Sequence, residues 1–364
     1  MDCLAMARRW TSRTSHVVAT VTCLSVLSAC APAAPPAPTA AAPTTPPTAV
    51  PKPTAAPAPT VAALTSISVS YPEGGAHLPL FLARDTGIFA KHGLDVTLKG
   101  LGGGSVASAA LIGGDIQIAD ITGSEITSAD ANGADILALG TLDPVYPYVF
   151  EVTSDIKTKD DLIGRSIAIR AIGDATDIAT RVALKHAGLD PDNDVTILAL
   201  TQENARMAAL TSGQMCCSVA QVQDRIALEK IGFHVLFDLT AQGLPNAQGV
   251  IATQRAYASA HPEVVQNFVN ALVESIARMK ANKTAALPVL KAQLSLEDDD
   301  IVNATYDFFA GSVVPSVPLP APAQFADGIA ILGEKNEKVK SLDISKYIDT
   351  SYVQKAVALG LDKP

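Results

Sequence analysis

Carboxylates, hydroxyls and small residues collect just after short apolar runs along this chain. Glu73 and His77 follow Tyr71, Gly104 and Ser105 form one group, and Thr122 and Ser124 follow Asp120. Tyr146 follows Asp143, Thr176 follows Asp174, and Gln221 stands after the last such run. If the runs are parallel strands, their carboxyl ends face one crevice, and these residues line a hydrogen-bonding pocket. Glu73, Asp120, Asp143 and Asp174 make that pocket acidic, with Arg170 as the strand-end cation. A bound anion would be repelled by on the order of 1 kcal/mol per close, partly screened carboxylate. We therefore expect a neutral or amine-bearing ligand, such as a nitrogen heterocycle stacked on Tyr71, Tyr146 or Tyr148. Asp174 with Asp177 could instead cap a helix, and Asp120 and Asp143 could accept from the amides of adjacent turns.

Bond-making chemistry has a weaker signature. The chain has no Walker phosphate loop, no nucleophile elbow and no His-Glu-x-x-His, and His77, His92, His186, His234 and His261 are too scattered for a metal site. Gly102 to Ala107 satisfies the dinucleotide fingerprint. In a chain rich in Gly and Ala, however, that pattern carries little information, and an exported protein has little use for a soluble nicotinamide. No metal and no cofactor is expected. The vicinal pair Cys216-Cys217 opens an apolar run and is read as two buried strand thiols.

Positioning the polar groups requires alternating strands and helices. The runs Ser66 to Tyr71, Leu94 to Leu98, Ile116 to Ala119 and Ile136 to Leu139 are separated by amphipathic stretches. A second series follows at Ser166 to Ile169, Val195 to Leu200, Met215 to Val219 and Val235 to Leu239. This is the pattern of βαβ units with mainly parallel sheets covered by helices. Ala109-Ala110-Leu111-x-x-Gly114 and Ala208-Ala209-Leu210-x-x-Gly213 occupy like places in the two series and suggest two lobes of like architecture. A further strand at Gln248 to Thr253 and a helical C-terminal part, led by Pro262 to Ala281, send the chain back across. Hinges are expected near Pro144 to Val152 and Leu244 to Gly249.

The N-terminus reads as an address. Arg8, Arg9 and Arg13 precede an apolar run from Val17 to Ala29, too short to span a membrane, so residues 1–29 are read as a signal peptide. The run ends in Leu27-Ser28-Ala29-Cys30, which resembles a bacterial lipobox with Cys30 as the lipidated residue. Residues 30–65 are Ala-, Pro- and Thr-rich, with 11 of the 24 prolines between residues 31 and 60, and read as a tether. Setting aside Arg8, Arg9, Arg13 and Asp2 takes the formal net charge from −9 to −11. An acidic body without a Lys/Arg run argues against a nucleic-acid partner.

His77-Leu78-Pro79-Leu80-Phe81-Leu82-Ala83, followed by Gly87-Ile88-Phe89-Ala90-Lys91-His92-Gly93-Leu94-Asp95-Val96, closely resembles the opening of solute-binding proteins of nitrate/sulfonate/taurine-type ABC transporters. That superfamily also holds thiamine-pyrimidine-precursor and riboflavin binders. Ala110 to Ala119, Ile156 to Arg165 and Asp343 to Asp349 look like its later segments. The resemblance covers about residues 66 to 360. It implies an α/β, two-lobed fold of the type II periplasmic-binding-protein order, with one lobe from 66–148 and 249–364 and the other from 149–248. It also implies a monomer that carries a small solute to ABC permease subunits without catalysis, lipid-anchored on the outer face of the cytoplasmic membrane or on the periplasmic side. Two alternatives stay open. One is a binder of an organosulfonate, taurine or nitrate. The other is an enzyme like the superfamily's pyrimidine synthases, using Cys216, Cys217 and His77.

Overall fold

The computed structural model describes residues 63–72, 74–101 and 103–364. The expected signal peptide, Cys30, nearly all of the tether and Glu73 lie outside the described residues. The Ile- and Val-rich runs form strands because branched side chains pack well on a pleated surface. Four of them come first: β1 (Thr65–Tyr71), β2 (Leu94–Gly100), β3 (Ile118–Ile121) and β4 (Ile136–Thr141). The chain then crosses over to build β5 (Val149–Val152), β6 (Ser166–Ile169), β7 (Thr196–Ala199), β8 (Cys217–Ala220) and β9 (His234–Asp238). It returns as β10 (Val250–Gln254).

Two five-stranded sheets result, in the orders β2-β1-β3-β10-β4 and β7-β6-β8-β5-β9. In each, four strands share a direction and one is reversed. The reversed strand, β10 or β5, is the one that has just arrived from the other lobe. The two orders are the same pattern repeated, so the internal echo marks equivalent places. Ala109 to Gly114 and Ala208 to Gly213 each close the helix before the third strand. Gly114 and Gly213 take left-handed conformations (φ 83° and 75°) that let the chain turn back, a geometry costly for any residue with a Cβ. Val149 to Val152, expected inside a hinge, is instead a fully buried strand held on both edges.

The crossing segments run side by side. Leu142 N donates to Gly249 O (2.7 Å), Gln248 N to Asp143 O (3.1 Å) and Asn246 N to Pro144 O (2.8 Å), and Val145 bridges Pro245. The C-terminal helices cover the first sheet, chiefly the 20-residue helix Pro262–Ala281. Its Val265, Phe268, Leu272, Ile276 and Met279 face one core at helical spacing. The Gly87–Gly93 motif docks on that helix. Glu274, almost buried, accepts from Lys91 Nζ (2.8 Å) and His92 Nε2 (2.9 Å) and pairs with Arg278 (2.7 Å).

One later helix, Ala326–Gly333, is a strap between the lobes. Its Ile329 packs into the core around Ile121 and Ile126, and its Ile331 and Leu332 pack against the second lobe's core. Asp327 accepts from the Tyr146 hydroxyl (3.1 Å), and Glu334 pairs with Lys185 (2.7 Å).

Cys216 and Cys217 correct the expectation of free thiols, since the two form a disulfide with each other. A bridge between neighbours closes no length of chain. It therefore supplies none of the loop entropy by which disulfides staple small folds.

Candidate functional site

The carboxyl ends of β1, β3 and β4 and the returning segment before β10 converge on one buried cluster. His77 lies in the turn after β1, and its Nδ1 is 2.6 Å from Asp120 Oδ2 at the end of β3. Asp143 follows β4 on the crossing segment. The three side chains surround Gly249: a Cβ there would lie 3.3 Å from His77 Cε1, 3.4 Å from Asp120 Oδ1 and 3.5 Å from Asp143 Oδ2. His77, Asp120 and Asp143 are 4%, 1% and 1% exposed, and among the described residues Asp120 Oδ1 and Asp143 Oδ1 have no hydrogen-bond partner. Burying a carboxylate oxygen unpaired costs a few kcal/mol, so these two atoms are the conspicuous unmet demand in the region.

The cluster holds its protons unusually. Burial raises the Asp143 carboxyl to about 7, and the Asp120 charge adds to the rise, while His77 opposes it. Burial disfavours charge on His77, but the facing Asp120 carboxylate outweighs it and the imidazole pKa is raised. Burial of Asp143 and the facing acidic groups thus bias both His77 and Asp143 toward holding a proton.

The second lobe faces this cluster. A Cβ on Gly74 would sit 3.4 Å from Gln221 Oε1 and 3.5 Å from His77 Nε2, so the two lobes meet there. Tyr148 is held by Gln248, whose Nε2 donates to its hydroxyl (2.9 Å), and by Gln221.

Asp174 caps the helix Ala175–His186, the alternative considered for it with Asp177, and Asp177 Oδ2 accepts from the Gly173 amide (2.7 Å). Asp174 Oδ1 accepts from the amides of Thr176 and Asp177, and its Oδ2 accepts from Arg170 Nε (2.7 Å). Thr176 Oγ1 accepts from the Arg170 amide and donates to Asp174. Across the cleft, Thr122 and Glu125 form a capping box on the helix Gly123–Asp130. Thr122 also hydrogen-bonds Ser124 (2.8 Å). The Glu125 carboxylate fills the space beside Gly104, where a Cβ would fall within 2 Å of it; Ser105 is exposed.

Thr122, Ser124 and Tyr146 line, with Asn246, Gln248 and Gln324, a cavity of about 10 Å³, the size of one water. Two expected stacking rings are committed elsewhere. Tyr71 lies edge-on to Phe81 at 4.7 Å against the first core, and Tyr146 is fully buried with its hydroxyl on Asp327. Among the described residues Asp120 and Asp143 show no bond from the backbone amides considered for them: Asp120 Oδ2 is claimed by His77, and Asp143 Oδ1 has no partner. Gly249 was not legible as a site residue, because its part depends on groups more than a hundred positions away.

The two lobes, their matched strand order and the paired crossings define a type II periplasmic-binding-protein fold. The chain belongs to the NMT1/THI5-like family, whose model matches residues 75–286. No curated protein sequence matches it. Among solved structures it is similar to the alkanesulfonate-binding protein SsuA from Xanthomonas axonopodis pv. citri bound to MOPS (TM-score 0.63, 22% identity, covering 80% of this chain and 100% of that one). It is similar to the periplasmic aliphatic sulphonate binding protein SsuA from Escherichia coli (0.65, 23%, 79% and 93%). It is also similar to the periplasmic nitrate-binding protein NrtA from Synechocystis PCC 6803 (0.64, 13%, 83% and 91%).

Proposed function

We propose that this protein is the extracytoplasmic solute-binding component of an ABC importer, closing its two lobes on a small neutral or amine-bearing solute at the His77–Asp120–Asp143 cluster. The observation that carries the finer reading is the pair of buried oxygens, Asp120 Oδ1 beside Gly249 and Asp143 Oδ1 of the neighbouring carboxyl, that have no partner among the described residues. Two N–H donors of the solute, one toward each, would satisfy them. Because Asp143 sits on the crossing segment and Gln221 on the opposite lobe, a solute touching both favours the closed arrangement by its differential contacts. An anion finds less: the N-termini of helices Gly123–Asp130 and Ala175–His186 are already filled by Glu125 and Asp174.

A second reading, an organosulfonate, taurine or nitrate ligand, has in its favour the half-exposed Arg170 and the ligands named for the similar structures. Binding rather than catalysis is supported by the cysteines: they are bonded to each other at the end of β8 opposite Gln221, away from His77. Export, lipid anchoring through Cys30, a monomeric state and delivery to permease subunits complete the proposal.

Thermal stabilisation of the purified protein by pyrimidines, flavins and polyamines, set against taurine and nitrate, tests it. Amine or heterocycle ligands should raise Tm, and Gly249→Ala, whose methyl enters the cluster, should abolish the effect. A response to taurine or nitrate alone would overturn the amine reading and leave the class standing. A response to none would count against the class.

A further inference from the structure

A crevice of about 300 Å³ opens where the second lobe meets the C-terminal helices of the first, and none of the candidate-site residues lines it. One wall is Val222 and Arg225 of the helix Val222–Lys230, with Asp238 and Thr240 at and beyond the end of β9. The other wall is Phe308 and Ser312. Phe308 ends the helix Asp299–Phe308, and the following turn, Phe309–Val313, is π-helical. Such turns are unfavourable in isolation and recur at functional sites. Here the wider turn sends Phe309 inward against Gly75, sets Phe308 edge-on to it at 5.0 Å, and leaves Ser312 exposed.

The walls carry both signs of charge. Arg225 spends Nε on Glu229 (2.8 Å), and Asp238 spends Oδ1 on the Ala241 amide (2.9 Å). Among the described residues neither makes a further hydrogen bond, so two guanidinium nitrogens and Asp238 Oδ2 are left over. Glu229 acts on Arg225 first, then the buried Glu151 behind the crevice, and Asp238 least, so Arg225 and Asp238 belong to one field in which Arg225 is the cation among three carboxylates. A ligand with a single charge gains from one group and is opposed by the other. A ligand with both charges gains from each. The volume is at the small end of the range for small-molecule sites, and Phe308 and Val222 offer an apolar strip between the charges.

The geometry points to a second solute site in this crevice, separate from the hinge cluster, that takes a short zwitterion of the ω-amino-acid kind with its carboxylate toward Arg225 and its ammonium toward Asp238. Because its walls come from both lobes, an occupant favours the arrangement in which they touch.

Calorimetric titration of the purified protein with 4-aminobutyrate and 6-aminohexanoate, with butylamine and butyrate as single-charge controls, tests this. One or both zwitterions should bind and both controls fail. Arg225→Gln and Asp238→Asn should each weaken binding about tenfold or more. Both are surface changes that cost the fold little. Ser312→Trp, which fills the crevice, should abolish binding, while Asp120→Asn should leave it within about twofold, as expected of an independent site. The proposal is overturned if no zwitterion binds or if butylamine or butyrate binds equally well. It is also overturned if binding vanishes in Asp120→Asn yet survives Arg225→Gln and Asp238→Asn, which would return the zwitterion to the hinge cluster.

Discussion

Asp143 shows how one buried carboxyl ties proton binding to stability. In the folded protein it titrates at about 7, against 3.8 for a free side chain. Between those values the native state holds a proton that the unfolded chain releases. The sign follows: this contribution to stability is present on the acid side and is lost as pH climbs from about 4 to about 7. His77 slopes the same way, since its raised pKa gives stability that is full below its unfolded value and fades as pH rises through the folded one. Asp143→Asn should therefore flatten the profile of Tm against pH between about 4 and 7, and a variant profile as steep as the parent's would contradict the assignment. The sequence placed His77, Asp120 and Asp143 at strand ends and so found the cluster's members. It could not show that a histidine would sit between the acids, because strand order, which sets who faces whom, is a long-range property. The acidity inferred from composition is accordingly milder in the structure, where His77 and Arg170 each stand against a carboxylate.

Elements were legible where their period was strong. The helix Pro262–Ala281 and the repeated strand series stand close to where alternation and helical spacing put them, whereas β5 was hidden because Pro144 and Pro147 beside it read as a hinge. The motif Gly87 to Gly93, which carries much of the family resemblance, has a structural role through Glu274. Burial would raise that carboxyl, but bonds from Lys91 and His92 outweigh it and the pKa is lowered. Its stabilising effect is thus present above about pH 4.5 and is lost as pH falls. Glu274→Gln leaves Lys91 and His92 facing a neutral amide in a nearly closed site. It should cost about 1–3 kcal/mol, read as a lower denaturant midpoint, with solute affinity unchanged. A loss of affinity at full stability would give Glu274 a functional part instead.

At the scale of the whole molecule, the proposed lipid anchor at Cys30 is tested apart from solute binding. Cys30→Ala should move the protein from the membrane fraction to the soluble one while leaving solute-induced stabilisation intact; a variant that stays with membranes would remove the lipid anchor from the proposal. The strap Ala326–Gly333 bears on a different quantity. Parting the lobes must lift Ile331 and Leu332 off the second core or Ile329 off the first, with or without solute between them. An interaction present in both closed forms cancels from the equilibrium between them and enters the barrier each must cross. Leu332→Ala, at about 1–2 kcal/mol of lost packing, should then quicken solute entry and exit together by about tenfold, with Kd nearly constant in stopped-flow measurements. The strap in this view is a governor of tempo: it sets how often a bound solute can be exchanged, whatever groups in the cleft select that solute.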